Sequence, residues 1–462
     1  MKAVKRGSLL LAVVLLCALL GGVLVSCDTD SRTVIPFVGS SDNSGSTTPY
    51  VTDVKIESGS IIVCYSDGSC VNIGSSVTNV TNNQIDQVTI AGEGSGATAF
   101  AAARAQLSTV QVVCQFTKTR TVYKNAGWGR LYPYEEEYSA TSAGSGVIYA
   151  LNKEKGDAYI ITNQHVVYDS ESKASDHVSH DISIYLCGST EAITATYVGG
   201  VSKYDIAVLR VENSAVLKAS AAEAATLADS SALSVGSTAL VVGNPEGEGI
   251  AATAGIVSVD SETIWMTPVD SSESTDGNSQ NNNLQSFRVI RVDAAVNSGN
   301  SGGGLYNEKG ELIGIVNAKI VSDSVENIGY AIPSNVAVAV AQNLIDNDGA
   351  FRRVVLGIEV ESSSSRMVYD EKTGRVSIVE TVTVVTVDAG GAGEAIGLAV
   401  GDTILSVKVG ERDQINVTRS FHIADEMLNA RVDDDVIVTV RRNGTEMSLT
   451  KKTVDSSWLE QN

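Results

Sequence analysis

Asn297-Ser298-Gly299-Asn300-Ser301-Gly302-Gly303-Gly304 sets a serine among glycines. Such a run permits a tight turn that exposes the hydroxyl and aims neighbouring backbone N–H groups into one pocket. Upstream, Thr162-Asn163-Gln164-His165-Val166-Val167 places a histidine just after a strand-like stretch. Tyr204-Asp205-Ile206-Ala207-Val208-Leu209 places an aspartate at the start of another. Acyl transfer by a serine needs a base to take its proton, a carboxylate to orient that base, and backbone donors for the oxyanion. Taken singly, His165 reads as a structural or surface histidine, Asp205 as a turn residue and the glycine run as a loop. Their occurrence together, in the order His, Asp, Ser, carries the reading.

Working outward, short runs rich in Val, Ile, Ala and Thr predict strands at Val110–Phe116, Gly146–Leu151, Tyr159–Thr162, Ile182–Leu186, Ala207–Val211, Thr238–Val242, Ile250–Val259, Phe287–Asp293 and Leu312–Val321. This rhythm, with little helix, points to an all-β barrel or sandwich. Helices are expected at Ala97–Leu107 and Val336–Asp346, the latter stopped by Asn347-Asp348-Gly349. Gly127–Ser142, with its aromatics and the acidic cluster Glu135–Glu137, and the polar Thr267–Ser286 read as surface loops.

The three strings resemble the HtrA family of trypsin-like serine proteases, whose patterns read TNxHV, DxAVL and GNSGGxL. The resemblance covers residues 97–346 and implies a mainly β, chymotrypsin-like double β-barrel protease domain. It implies Ser301 as nucleophile, His165 as general base and then acid, Asp205 as the group holding the imidazole, and the N–H groups of Gly299, Asn300 and Ser301 as oxyanion hole. The residue six before the nucleophile, at the base of the S1 pocket in this fold, is Ala295. An apolar base offers no counter-charge, so cleavage after Val, Ala or Ile is expected. Asn317–Tyr330 would form another wall, in which Lys319 is a departure.

Residues 351–453 look like a PDZ domain. Leu356-Gly357-Ile358 would offer backbone N–H groups to a peptide C-terminus, and Val360 continues a strand that could pair with the peptide. The flanking helix is expected at Ser420–Asn429, with Ile423 and Met427 facing the ligand. Ser362–Thr373 reads as an extended polar hairpin, and the usual proline near Gly391 is absent.

The N-terminus is an address. Lys2, Lys5 and Arg6 precede an uncharged apolar run ending Leu24-Val25-Ser26-Cys27, which looks like a bacterial lipobox with Cys27 lipidated. Residues 1–27 are then the signal, 28–50 a polar tether and 51–96 a small hairpin and linker. Cys64 and Cys70 would face each other across that hairpin as a candidate disulfide, while Cys114 and Cys187 read as core thiols. The net charge of −21 repels nucleic acid. His177 and His180 read as loop residues, and no metal site or cofactor is indicated.

The expected protein is therefore an ATP-independent serine endopeptidase of the cell envelope. It would be lipid-anchored to the membrane and extracytoplasmic, in a periplasm or on the outer face of the plasma membrane. It would cleave unfolded or damaged polypeptides, bind their C-termini at the PDZ groove and assemble as a homotrimer. The competing reading is a catalytically idle peptide-binding lipoprotein or holdase.

Overall fold

The computed structural model describes residues 51–57, 60–65, 70–72, 75–76, 80–81, 84–85, 89–90, 96–125, 131–266, 268–269, 284–318, 328–371, 375–449 and 452–461. The signal, Cys27, the tether and Lys319 lie outside them. The chain divides into two compact units, Met1–Phe100 and Ala101–Asn462. In the first, Val51–Glu57 pairs with Ser60–Tyr65, which pairs with Cys70–Asn72 so that Cys64 stands opposite Cys70 in the backbone register. The proposed disulfide concerns side chains that are not described.

The second unit begins with two closed six-stranded barrels. The first is built from β1 (Thr109–Asn125), β2 (Leu131–Asn152), β3 (Asp157–Thr162), β4 (Asp181–Leu186), β5 (Ile193–Val201) and β6 (Ile206–Val211), closing in the order β3-β6-β5-β4-β1-β2. The second is built from β7 (Thr238–Gly243), β8 (Ala251–Met266), β9 (Gln285–Val292), β10 (Gly304–Tyr306), β11 (Leu312–Val316) and β12 (Gly329–Pro333), in the order β7-β8-β9-β12-β11-β10. Val110, Val112, Ile160, Ile184 and Leu209 fill the first, and Val241, Val257, Ile290, Leu305 and Ile313 the second. Alternating β-branched residues supply these interiors because strand side chains point to opposite faces.

A third cluster glues the barrels together. Helix α1 (Gly96–Leu107) contributes Ala101 and Ala105, and α2 (Ser334–Asp346) contributes Val336, Ala337, Val340 and Leu344, against Val147, Ile161, Val208, Leu240 and Ile315 from both barrels. The helix α2 stops at Asn347, and the Gly349 N–H, at φ +88°, returns to Leu344 O at 2.8 Å.

Two expectations are corrected. The described part of Gly127–Ser142 is strand, not loop: β1 and β2 form one long hairpin pairing without interruption from Thr109↔Val147 to Asn125↔Leu131. Its outer half holds together by cross-strand side chains, Arg120 on Glu136 at 2.7 Å and Lys124 stacked 4.0 Å from the Tyr134 ring, rather than by a core. Cys187 is exposed, one residue beyond β4, while Cys114 is buried, which pushes its thiol up to about 12. Strands β5, β10 and β12 were not expected from the sequence.

The C-terminal region is a β-rich sheet with path β13 (Ile358–Asp370), β14 (Arg375–Val387), β15 (Thr403–Val409), β16 (Asp435–Arg442), β17 (Thr445–Ser448). Short helix α3 (Phe421–Met427) covers its core. It joins the barrels through Phe351 and Leu428, which enter the cluster between the barrels, and through ions. Arg288 of β9 pairs with Asp425 of α3 and lies 4.2 Å from the Phe421 ring. Arg419 reaches Asp260 of β8 at 3.4 Å, and Arg431 reaches Asp346 of α2 at 3.2 Å.

Candidate active site

Strand β3 delivers His165 in a single helical turn, Gln164–Val167, whose Val166 and Val167 are buried and hold it to the first barrel. The turn before β6 delivers Asp205, fully buried and at φ +50°, a conformation uncommon for a residue with a side chain. Asn163 Nδ2 donates to the Asp205 carbonyl at 2.8 Å and holds that backbone.

The carboxylate faces three donors. Its Oδ1 accepts the His165 backbone N–H at 3.0 Å, and its Oδ2 lies 2.7 Å from His165 Nδ1 and 2.7 Å from Asn317 Nδ2. An ionised carboxylate only accepts, so the arrangement puts the ring proton on Nδ1 and leaves Nε2 free to take one. Asn317 follows β11, so the second barrel helps hold a carboxylate that belongs to the first.

Ser301 stands in the loop before β10. Its Oγ accepts the Ala318 N–H at 3.3 Å, and no hydrogen bond joins it to His165; such contacts are often looser before substrate binds. Asn317 and Ala318 thus touch Asp205 and Ser301 in turn. The loop is closed by Gly303 N–H to Asn300 O at 2.9 Å and Gly302 N–H to Val316 O at 2.9 Å. Gly299 and Gly302 take φ of +91° and +82°, where a side chain would be strained.

The donors available for an oxyanion differ from expectation. The Asn300 N–H is directed to Asn297 O at 3.0 Å and serves the turn. Among the described residues, the N–H groups of Gly299 and Ser301 have no acceptor, so the open pair is Gly299 and Ser301, without Asn300.

Of the other expected residues, Ala295 is exposed, its carbonyl accepting from Thr253 Oγ1 at 2.8 Å, and so is not enclosed. Leu356 is buried, Gly357 takes φ +62°, and Ile358 and Val360 open the edge strand β13, half-buried. Ile423 and Met427, expected to face a ligand, are 6% and 3% exposed and pack in the C-terminal core. His180 is exposed beside Asp176, and among the described residues no group of side chains could hold a metal ion. Sequence reasoning assigned no role to Asn163 or Ser145, and placed Asn317 in a pocket wall rather than on Asp205. Only Asn163 carried a signal, by lying in the histidine string.

Residues 144–315 match the trypsin-like peptidase domain. The chain is 35% identical over 328 residues to the serine protease Do-like HtrA of Lactococcus lactis subsp. cremoris (strain MG1363), covering 68% of this chain and 72% of that protein. It is 35% identical over 318 residues to the serine protease Do-like HtrA of Bacillus subtilis (strain 168), covering 68% and 63%. It is 36% identical over 265 residues to the periplasmic pH-dependent serine endoprotease DegQ of Escherichia coli (strain K12), covering 57% and 50%. With a double barrel that gathers a histidine, an aspartate and a glycine-framed serine, this chain belongs to the HtrA family and is a serine endopeptidase.

Proposed function

We propose that Ser301 is the nucleophile, His165 the base and then the acid, and Asp205 the group that fixes the imidazole and stabilises its cation. The Gly299 and Ser301 N–H groups receive the oxyanion. The observation that carries this reading is the 2.7 Å His165–Asp205 contact, which leaves Nε2 as an acceptor in the site that holds Ser301.

Substrates are unfolded or damaged polypeptides outside the cytoplasm, cut after small or medium aliphatic residues because Ala295 brings no charge to S1. Residues 351–453 act as a PDZ domain. Among the described residues the Leu356 and Gly357 N–H groups have no acceptor, and β13 is the outer strand of its sheet, which suits a peptide C-terminus that adds a strand. Ile423 and Met427, in one apolar cluster with Leu356, are the floor of that groove. Cys27 carries the lipid anchor, and the assembly is a homotrimer.

Purified protein is treated with an alkyl fluorophosphonate, wild type beside Ser301→Ala, with and without casein. Labelling and casein cleavage by the wild type alone support the triad. Cleavage by clean Ser301→Ala overturns it, and folded wild type that binds apolar C-terminal peptides but neither labels nor cleaves favours the holdase reading.

A further inference from the structure

Ser145 lies on β2, far in sequence from the nucleophile, and is completely buried. Its hydroxyl donates to Gly299 O at 2.7 Å and accepts the Asn244 N–H at 2.8 Å. Its own N–H donates to Ser301 O at 2.8 Å, and its carbonyl accepts Thr162 Oγ1 at 2.7 Å. One residue therefore joins the nucleophile, the glycine two before it, the end of β7 and the end of β3. The approach is close enough that a Cβ on Gly302 would collide with Ser145 O and Thr162 Oγ1.

We propose that Ser145 is a positioning residue for the oxyanion hole, acting through the Gly299–Asn300 peptide. A peptide unit is planar, so fixing the direction of the Gly299 carbonyl also fixes the Asn300 N–H on its opposite side. With the carbonyl held by the Ser145 hydroxyl, the Asn300 N–H turns to Asn297 O and the Gly299 and Ser301 N–H groups are left for substrate. Without the hydroxyl, the buried Gly299 carbonyl has no donor, and rotation of this peptide to find one moves the neighbouring N–H groups out of line. The Asn244 N–H on the same oxygen orients the hydroxyl toward Gly299, because a hydroxyl has a single proton to give.

This inference rests on the proposed roles of Ser301 and its neighbours. Its test is the Ser145→Ala variant of the full chain, compared with wild type and Ser301→Ala in casein cleavage and in fluorophosphonate labelling rate. The expected result is a kcat lowered by roughly 10- to 100-fold, below the ~100–1000-fold known for outright loss of a donor. KM stays within about twofold and the labelling rate falls in parallel, while the pH dependence of the remaining activity keeps its shape because His165 and Asp205 are untouched. Ser179→Ala removes an equally buried hydroxyl, bonded to Gln115 O and Asp181 O away from the loop, and lowers stability without this kcat loss. Should Ser145→Ala fail to fold, Ser145→Cys keeps the volume and a weaker donor, with kcat expected between the two. A folded Ser145→Ala or Ser145→Cys with wild-type kcat overturns the proposal. A wild type that is itself inactive overturns the triad reading instead.

Discussion

The two junctions of the second unit are built from different chemistry. Where the barrels meet, contacts are apolar side chains and neutral hydrogen bonds: α2 packed across both barrels, and Ser145 on Gly299 and Asn244. The one buried charge, Asp205, has its oxygens occupied by a backbone N–H, an imidazole and an amide. Where the barrels meet the C-terminal region, the apolar contacts of Phe351 and Leu428 are joined by ion pairs, Arg288–Asp425, Arg419–Asp260, Arg431–Asp346 and Lys203–Glu460. Some atoms there lack partners: Nε and Nη1 of Arg288 are buried without one among the described residues. Neutral contacts resist pH and salt. Ion pairs respond to pH through their carboxylates, and the more exposed of them, such as Arg431–Asp346, to salt as well. The catalytic junction is the fixed one and the C-terminal junction the adjustable one.

The strongest way to break this contrast is Asp205→Asn. The amide can no longer accept the Nδ1 proton as a carboxylate does, so the wrong tautomer is favoured and kcat should fall about 10⁴-fold with the fold intact. Steady-state cleavage of casein measures it, and a loss below tenfold would mean that the pair at 2.7 Å is not the orienting contact.

A smaller effect is expected from Asp425→Ala, which leaves Arg288 beside Phe421 with its charge unpaired. It should cost about 3 kcal/mol, the lower end for breaking a buried pair. Thermal unfolding read with limited proteolysis should show the C-terminal region released first. Replacing both partners, Arg288→Met with Asp425→Leu, should recover most of the loss, and no recovery would mean that the ions themselves hold the junction.

The smallest effect is pH-dependent. Burial pushes the Asp425 carboxyl up to about 6, against the pull of Arg288 and with the charge of Glu426 adding to the rise. Its ordinary value is 3.8, so between these two the folded protein holds a proton that the unfolded chain has released. Stability from this group is full below 3.8 and is lost as pH rises through about 6. Asp425→Asn should therefore flatten the change in Tm between about pH 4 and pH 6.5; an identical slope in the two proteins would remove Asp425 as its source.

How much of this was legible follows from where each feature's cause lies. The glycine-framed serine and most of the barrel strands are local, written in turn residues and in alternating β-branched side chains, and they could be read directly. The outer half of the β1–β2 hairpin could not. Both its faces meet solvent, so Leu131-Tyr132-Pro133-Tyr134 and the glutamates after it carry no apolar alternation, and their pairing depends on a register with Lys118, Arg120 and Lys124 that one strand does not reveal. Ser145 and Asn317 act on partners 154 and 112 residues away, beyond any local pattern. Adjacency to the serine does not say which donors the turn itself consumes, as it consumes the Asn300 N–H by bonding it to Asn297 O.

The β1–β2 hairpin has one further consequence. Leu131, at its described outer end, and Ser145, against the nucleophile loop, belong to one unbroken strand and stand roughly 45 Å apart at ~3.3 Å per residue. With solvent on both faces, the register of its outer half rests on cross-strand pairs such as Arg120 on Glu136 rather than on a buried face. The same strand thus runs from solvent to the residue that holds the Gly299 carbonyl.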